Sequence, residues 1–145
     1  MLFLARNVDS SSVAINSIAQ SLEISRKFLE KILVELGSEG LVSSKKGRSG
    51  GYFISKDLNN ISLADIVRIL EGPIALLPCA SHRFYEPCKE CESPDKCSLQ
   101  DALVNVRNST VHSLKSIKIS DILLNEEKLN RGILKPQRPI TYKEK

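Results

Sequence analysis

Two amphipathic helical patterns, followed directly by a glycine-rich hairpin pattern, constrain the fold of this chain more than any other feature. The first pattern places apolar residues at i, i+3, i+4 and i+7: Ile15, Ile18, Ala19 and Leu22. After Glu23 and Ile24, Ser25 is a helix-capping residue type at the start of a second pattern, which ends before Gly40. The predicted buried face of this second helix consists of Phe28, Leu29, Ile32, Leu33 and Leu36. Two helices joined this closely form a helix-turn-helix.

The segment GLVSSKKGRSGGYFISK, which begins at Gly40, predicts a strand, a tight turn and a second strand. The strands are expected at Leu41–Lys45 and Tyr52–Ser55. The segment carries four basic residues and no acidic residue, so it suits an anionic partner. A phosphate loop for nucleotides is excluded, because no Gly-Lys-Ser/Thr closes the turn and no helix starts from it. A helix-turn-helix followed by a basic hairpin is a winged helix, in which Arg48 could enter a narrow minor groove of DNA.

Two further helices are predicted after the hairpin. SLADIVRILEG has Ser62 as its cap, an apolar face, and Gly72-Pro73 as its stop. A much longer helix begins at Ser98 and carries apolar residues at every third or fourth position. The stripe consists of Leu99, Ala102, Leu103, Val106, Thr110, Leu114 and Ile117. A second copy of the chain is the simplest partner for it, because twofold symmetry suits a palindromic DNA site; packing back on its own domain is the alternative.

These patterns predict a mainly α fold with a small β-hairpin wing. Residues 1–73 are expected to form the winged helix-turn-helix DNA-binding domain, and residues 74–97 a cysteine-rich, cluster-binding loop. Residues 98–124 are expected to form the dimerisation helix and a short terminal helix from Lys118 to Leu124. The remaining residues, 125–145, have little apolar periodicity, and we expect a disordered tail.

All four cysteines lie between Cys79 and Cys97. A chain of 145 residues can bury a hydrophobic core without disulfide bonds, so the cysteines are not needed to stabilise the fold. The sequence has no apolar run of secretory or membrane-spanning length, so we expect a cytoplasmic protein with no membrane partner. Clustered thiols in that compartment bind metal or do redox work more often than they form structural disulfides. The cysteines are separated by eight, two and five residues, which lets them converge on one centre but matches neither ferredoxin nor double-knuckle zinc spacing. An iron-sulfur cluster, a zinc ion and a metal-free thiol sensor therefore all stay open.

The order of these motifs resembles the Rrf-two family of bacterial winged-helix transcriptional regulators, which includes IscR-, NsrR- and CymR-like proteins. The resemblance rests on SIAQSLEISRKFLEKILVELGSEGLV, KKGRSGGY, ISLADIVRILEGPI and the cysteine loop before a long helix. It implies a homodimer that binds double-stranded DNA and senses iron-sulfur, nitric oxide or redox state through a cluster, either 2Fe-2S or 4Fe-4S. The matching recognition-helix residues are Ser25, Arg26, Lys27 and Glu30. The matching wing residues are Arg48, Ser49, Gly50, Gly51 and Tyr52, and we expect Lys45 and Lys46 to add phosphate contacts.

Three departures from the family pattern affect these expectations. Relatives usually carry about a dozen residues ahead of the equivalent of Met1, so a ligand that some members draw from that helix is absent here. Gln100 stands where IscR-like proteins have a histidine ligand, and Glu23 stands where glycine is common in the turn. The resemblance favours cluster ligation by Cys79, Cys91 and Cys97. Because a thiolate is a stronger ligand for iron than an amide, we predict Cys88 as the fourth ligand, with a free Cys88 thiol as the alternative.

The sequence offers no nucleophile with a nearby base and no paired carboxylates, so we predict no enzyme activity. The predicted function is a DNA-binding transcriptional regulator, more specifically a repressor, whose cysteine loop reports iron-sulfur, nitric oxide or redox state. The alternatives are a zinc-stapled or metal-free thiol-sensing repressor, and a small iron-sulfur redox protein, which would need no basic wing.

Overall fold

The computed structural model describes residues 1–8, 12–47, 49–91 and 93–137. Its fold is mainly α-helical with one antiparallel hairpin, as the sequence predicts. Within the described residues the helices are α1 Leu2–Arg6, α2 Ile15–Ser21, α3 Arg26–Ser38, α4 Leu63–Leu70, α5 Ser98–Ser116 and α6 Ile119–Asn130. The strands are β1 Val42–Lys45 and β2 Gly51–Ile54. No helix in the described part of the chain is long and apolar enough to cross a membrane.

Helices α2 and α3 form the predicted helix-turn-helix. Ser25 caps α3, since its hydroxyl oxygen accepts a hydrogen bond from the Phe28 N–H at 3.2 Å. Glu23 in the turn has a φ of 53°, a left-handed conformation that glycine adopts with less strain, which explains why glycine suits this position. The predicted buried face is wrong at Phe28, which is 57% exposed because it points about 100° around the helix from the buried Leu29.

The hairpin is joined to the helix-turn-helix by backbone hydrogen bonds. In the hairpin Val42 pairs with Ile54 and Lys45 with Gly51. Val13, just before α2, exchanges two further hydrogen bonds with Tyr52, at 2.9 and 2.8 Å. A Cβ on Gly51 would overlap the backbone of Val13, so this close approach requires glycine. The wing is therefore attached directly to the residue that precedes α2.

The core lies between the first helices, the base of the wing and α6. Leu29, Leu33 and Leu36 of α3 are buried in it, together with Ile61 ahead of α4 and Ile119 of α6. Fully buried aliphatic side chains of this size each stabilise the fold by about 1.5–3 kcal/mol relative to exposed ones. Because α3 supplies three of these residues, its outer face is held in a fixed orientation by the core beneath it.

Helix α4 begins with the predicted Ser62 cap. The Asp65 N–H donates to the Ser62 hydroxyl at 3.3 Å, and the Ser62 N–H donates to the Asp65 carboxylate at 3.0 Å, so the two residues form a capping box. Burial alone raises the pKa of Asp65, but the hydrogen bonds from Ser62 and the nearby lysines, Lys56 and Lys118, bring it below its usual value. The start of α4 is thus stabilised by the hydrogen bonds between Ser62 and Asp65 and by the charges of the two nearby lysines.

The junction between α5 and α6 returns to the segment around the start of α4. The Leu63 N–H donates to the Ile117 carbonyl at 2.9 Å, and the Ile119 N–H donates to the Ile61 carbonyl at 3.0 Å. Helix α6 then packs on α1, where Arg6 and Glu126 form an ion pair at 2.8 Å. It continues to Asn130, so the tail expected from residue 125 is helical in its first residues, and residues 138–145 lie outside the described part of the chain.

Helix α5 packs against α4 along one side and has no buried residue. The predicted apolar stripe divides between two faces. Leu103 and Leu114 are half-buried, whereas Leu99, Val106 and Ile117 are exposed, by 61%, 50% and 39%. The helix therefore uses part of its apolar surface within the chain and leaves the rest open.

Candidate nucleic-acid interface and cysteine loop

The amino-terminal turn of α3 presents the predicted recognition residues. Arg26 and Lys27 are exposed, and Ser25 holds the turn in place as its cap. The Arg26 Nε donates to the Glu30 carboxylate at 3.0 Å, one turn later on the same face. This ion pair orients the guanidinium group but, being exposed, contributes little to stability. Arg26 can exchange Glu30 for another anion, such as a phosphate group, without loss of buried contacts.

A cleft of about 340 Å³ separates this face of α3 from the wing. Its predicted members are Arg26, Glu30, Lys45, Lys46, Gly50, Gly51 and Tyr52. The structure thus brings together residues that lie far apart in the sequence. Asn16 of α2 and Ser44 of β1 also line the cleft. The sequence analysis did not identify these two residues. Their polar character on the exposed side of a short helix or strand could have indicated that they line a binding surface.

The wing tip is shaped by its glycines and by one side chain from the segment before α2. A Cβ on Gly50 would lie 2.6 Å from the Lys45 carbonyl oxygen, so the turn closes only around glycine. The Ser12 hydroxyl donates to the Ser49 carbonyl at 2.8 Å, which ties the tip to the helix-turn-helix. Arg48, the residue predicted to enter the minor groove, lies outside the described residues, and its role stays a prediction.

The cysteine loop is anchored at its start and open thereafter. Ala80 and Ser81 are buried, and the short turn Pro78–Ala80 packs against α5. The Ser81 hydroxyl accepts a hydrogen bond from the Phe84 N–H at 3.1 Å. Every residue from 82 to 90 is exposed, which includes Cys88. The loop is thus anchored at residues 79–81 and exposed from residue 82 to residue 90.

The Cys91 thiol lies near those of Cys97 and Cys88, close enough for both to affect its ionisation. The pKa of the Cys91 thiol is raised, first by desolvation in its partly buried position and then by the neighbouring Cys97 and Cys88 thiols. A second thiolate in this group is disfavoured beside the first, so a positively charged metal centre would lower the cost of deprotonating several together.

The ends of the cysteine loop meet at the start of α5. Cys97 is the cap of α5, and its sulfur accepts a hydrogen bond from the Gln100 N–H at 3.4 Å. The Gln100 side chain donates to the Cys79 carbonyl at 2.8 Å. The residue that replaces the histidine of IscR-like proteins therefore links the first and last cysteine segments through the backbone, whatever metal ligands the loop provides.

Thiolates are the type of ligand that a soft metal ion prefers, but the loop does not hold the four thiols in the geometry of a complete metal site. All four are free. Among the residues that the structure describes, no three or more cysteine, histidine or acidic side chains converge as metal ligands. Thiolates are the ligands that iron-sulfur clusters and zinc both accept, so the donor set fits either group.

Comparisons with known proteins agree with this fold. The Rrf2 family model, described as an iron-dependent transcriptional regulator, matches residues 1–125. An Rrf2-like helix-turn-helix transcriptional regulator of Rhodobacter capsulatus is 35% identical over 119 residues, covering 82% of this chain and 79% of that protein. Protein aau3 of Rhizobium meliloti is 31% identical over 143 residues, covering 97% of this chain and 90% of that protein.

Two solved structures give the same result in three dimensions. CymR, the global cysteine regulator of B. subtilis, superposes with a TM-score of 0.64 and 30% sequence identity, covering 83% of this chain and 84% of that one. IscR of T. potens superposes with a TM-score of 0.67 and 25% identity, covering 88% of this chain and 80% of that one. The chain has a helix-turn-helix, a wing and a long helix, in that order. It belongs to the Rrf2 family of winged-helix transcriptional regulators.

Proposed function

We propose that this regulator binds palindromic DNA as a homodimer in the cytoplasm, represses transcription, and senses iron-sulfur, nitric oxide or redox state through its cysteine loop. The proposal rests on one observation, the position of the cysteine thiols at the start of α5. Cys97 caps α5, and α5 packs on α4 of the DNA-binding domain. A chemical change at the thiols thus reaches the DNA-binding domain through one helix.

The DNA-binding part of the proposal rests on the cleft between α3 and the wing. Lys45, Lys46 and Arg26 surround it, and the wing is fixed to the helix-turn-helix through Val13. Lysines at such a position neutralise phosphates and release counterions, so affinity falls as salt rises. Arg48 is the proposed minor-groove residue, and Ser25, Lys27, Ser49 and Tyr52 complete the proposed contact surface.

Binding to a labelled DNA duplex, measured by fluorescence anisotropy at several salt concentrations, tests this part. Lys45→Ala should weaken binding to all sequences alike and reduce the slope of log affinity against log salt by about one. Lys89→Ala is the matched control, because it removes the same charge from the exposed cysteine loop. Equal losses of DNA affinity in the two variants would mean that binding depends on overall charge and not on the wing. A small iron-sulfur redox protein, which needs no basic wing, would give that result.

The sensing part rests on the thiol group and on the family. Cys91 and Cys97 would hold an iron-sulfur cluster together with Cys79, and Cys88 is the proposed fourth ligand. When bound, such a cluster supplies a centre that reacts with oxidants or nitric oxide. The protein itself contributes a thiol pair at the cap of α5 and the Gln100 link to Cys79. The similarity to CymR, a cysteine regulator by name, keeps a metal-free thiol sensor as the second candidate, and zinc as the third.

Anaerobic purification followed by iron, sulfide and zinc assays tests the sensing part. The parent protein should contain iron and sulfide, and Cys91→Ala and Cys97→Ala should lose both. If Cys88→Ala keeps a full cluster with an unchanged visible spectrum, the cluster has three cysteine ligands and the four-thiolate assignment is wrong. Stoichiometric zinc without iron would replace the cluster proposal by the zinc-stapled repressor.

A further inference from the structure

A second potential binding site lies away from the thiols and from the DNA-binding cleft. It is a cavity of about 740 Å³ between the DNA-binding domain and α5. Its walls come from the end of α3, from α4 and the chain that follows it, from residues 81–84 just after Cys79, and from the second half of α5. Cavities of this size hold small organic ligands in many proteins.

The side chains around the cavity favour an anion. The basic residues that line it are Lys56, Arg68, Arg83, Arg107 and Lys115, and the acidic ones are Glu35, Glu39 and Asp65. Two of the three acids are engaged elsewhere. Asp65 accepts the hydrogen bonds of the Ser62 capping box, and Glu35 lies 3.9 Å from Lys31 on the surface of α3. Within the described chain, neither Arg68 nor Arg107 forms an ion pair.

Arg107 of α5 is one of the cationic residues that line the cavity. Its Nε is buried and has no hydrogen-bond partner among the described residues, while one Nη donates to the Asn108 side chain at 2.7 Å. Buried polar groups are normally hydrogen-bonded, because leaving a donor unpaired away from water is unfavourable. The Nη groups of a guanidinium group can donate charge-assisted hydrogen bonds to the two oxygens of a carboxylate or phosphate.

We propose that this cavity binds a small organic acid with two or more carboxylate or phosphate groups, with Arg107 and Arg68 as the principal anion contacts and Lys115 and Arg83 at the rim. One ligand would then touch α4 of the DNA-binding domain, α5, and the segment that follows Cys79. Binding would favour a single arrangement of these elements, so it would be energetically coupled to DNA binding. The proposal does not depend on a cluster, because none of its contacts is a thiol.

Isothermal titration of the full chain at constant ionic strength tests this site. The probes are inorganic phosphate, succinate and citrate, with chloride as the reference anion. We expect saturable binding of at least one probe, and its identity separates a phosphate from a carboxylate ligand. Arg107→Gln should weaken that binding about tenfold or more, the loss expected from removing one charge-assisted contact. Arg131→Gln is the control, because Arg131 pairs with Glu127 on α6 outside the cavity.

Arg68→Gln and Lys115→Gln provide second variants if Arg107→Gln folds poorly by circular dichroism. Both should weaken binding, whereas Arg131→Gln should not. The proposal is overturned if no probe gives saturable heat, or if the cavity variants and the control bind equally well. Iron measured in the same samples keeps the two proposals separate, since anion binding should persist in protein that contains no iron.

Discussion

The proposed DNA-binding unit, taken here as residues 12–71, and the segment that follows it, residues 72–117, are built in opposite ways. In the first, Leu29, Leu33 and Leu36 are buried, and Val13 and Tyr52 hydrogen-bond the wing to the helices. In the second, α5 contains no buried residue, and the loop has regular structure only in short turns. Several of its large apolar residues are exposed: Leu76, Leu77, Phe84, Tyr85, Leu99, Val106 and Ile117.

This difference separates what one chain stabilises alone from what the proposed dimer and metal centre would stabilise. The wing and α3 are held at a fixed distance by the chain's own core, as a DNA-binding surface requires. The second segment leaves apolar surface and free thiols that a second copy of the chain and a metal centre would cover. The proposed sensing would benefit from this arrangement, because a segment with little stability of its own responds strongly to what binds it.

Hydrogen exchange should show the largest difference between the two regions. Backbone amides of residues 82–91 should exchange with an opening free energy near zero, because this loop is exposed and has few internal hydrogen bonds. Amides of Leu33 and Leu36 should exchange only through global unfolding, at about 5–15 kcal/mol. Mass spectrometry of the two segments measures both values. Equal protection in the loop and in α3 would mean that the loop is a stable element by itself.

The change Val106→Glu tests whether a second copy covers α5. Val106 is 50% exposed in the single chain, so a charge there should leave the stability of one subunit nearly unchanged. In a dimer the same charge would be buried without a partner, which costs about 3–5 kcal/mol and weakens association at least about a hundredfold. Analytical ultracentrifugation measures the dissociation constant, and Asn105→Glu, also on an exposed part of α5, is the control. A full dimer in the Val106 variant contradicts the proposed interface.

The change Gly51→Ala tests how far the DNA-binding unit depends on the contact between wing and helices. A Cβ at this position overlaps the Val13 backbone, so the strand must shift, and we expect a loss of about 1–3 kcal/mol in the free energy of unfolding. DNA affinity should fall as well. Gly37→Ala is the matched control, since its Cβ would meet Val42 at 3.4 Å within a helix, where alanine is favoured. Urea unfolding and duplex binding give the two readouts, and unchanged values for Gly51→Ala would contradict the rigid-wing account.

The capping box of α4 should give the smallest effect, at the boundary between the two regions. Ser62→Ala should cost about 1 kcal/mol, the usual value for a lost cap, whereas Ser116→Ala should change stability by less than about 0.5 kcal/mol.

Because the folded-state pKa of Asp65 is lowered, its stabilising effect is present above its unfolded pKa, near 4, and disappears as the pH falls through the folded value. The stability difference between the parent and Asp65→Asn should therefore shrink below about pH 4. A difference that stays constant from pH 7 to pH 3 would exclude this role for Asp65.

Local patterns were sufficient to predict most of the secondary structure. The periodicity around Ile18 and Leu33, the caps at Ser25 and Ser62, and the glycines of the hairpin all act through neighbours in sequence, and each element was found within a few residues of its predicted position. The order of these elements also indicated the family. The end of the chain was harder to predict, because α6 is stabilised by packing of Ile119 and by the ion pair of Arg6 and Glu126, which are distant in sequence.

The sequence by itself determined the type and order of the elements, the basic character of the wing and the supply of four thiols, because these follow from residue type and local spacing. Only the tertiary structure decided that Phe28 is exposed, that the stripe of α5 divides between two faces, and that Asn16 and Ser44 join the cleft between α3 and the wing. It also decided that Arg107 lies in a cationic cavity and that Gln100 bonds to Cys79. Such features depend on which surfaces meet after the chain folds, and pairwise contacts over long sequence separation leave no periodic signal in a single sequence.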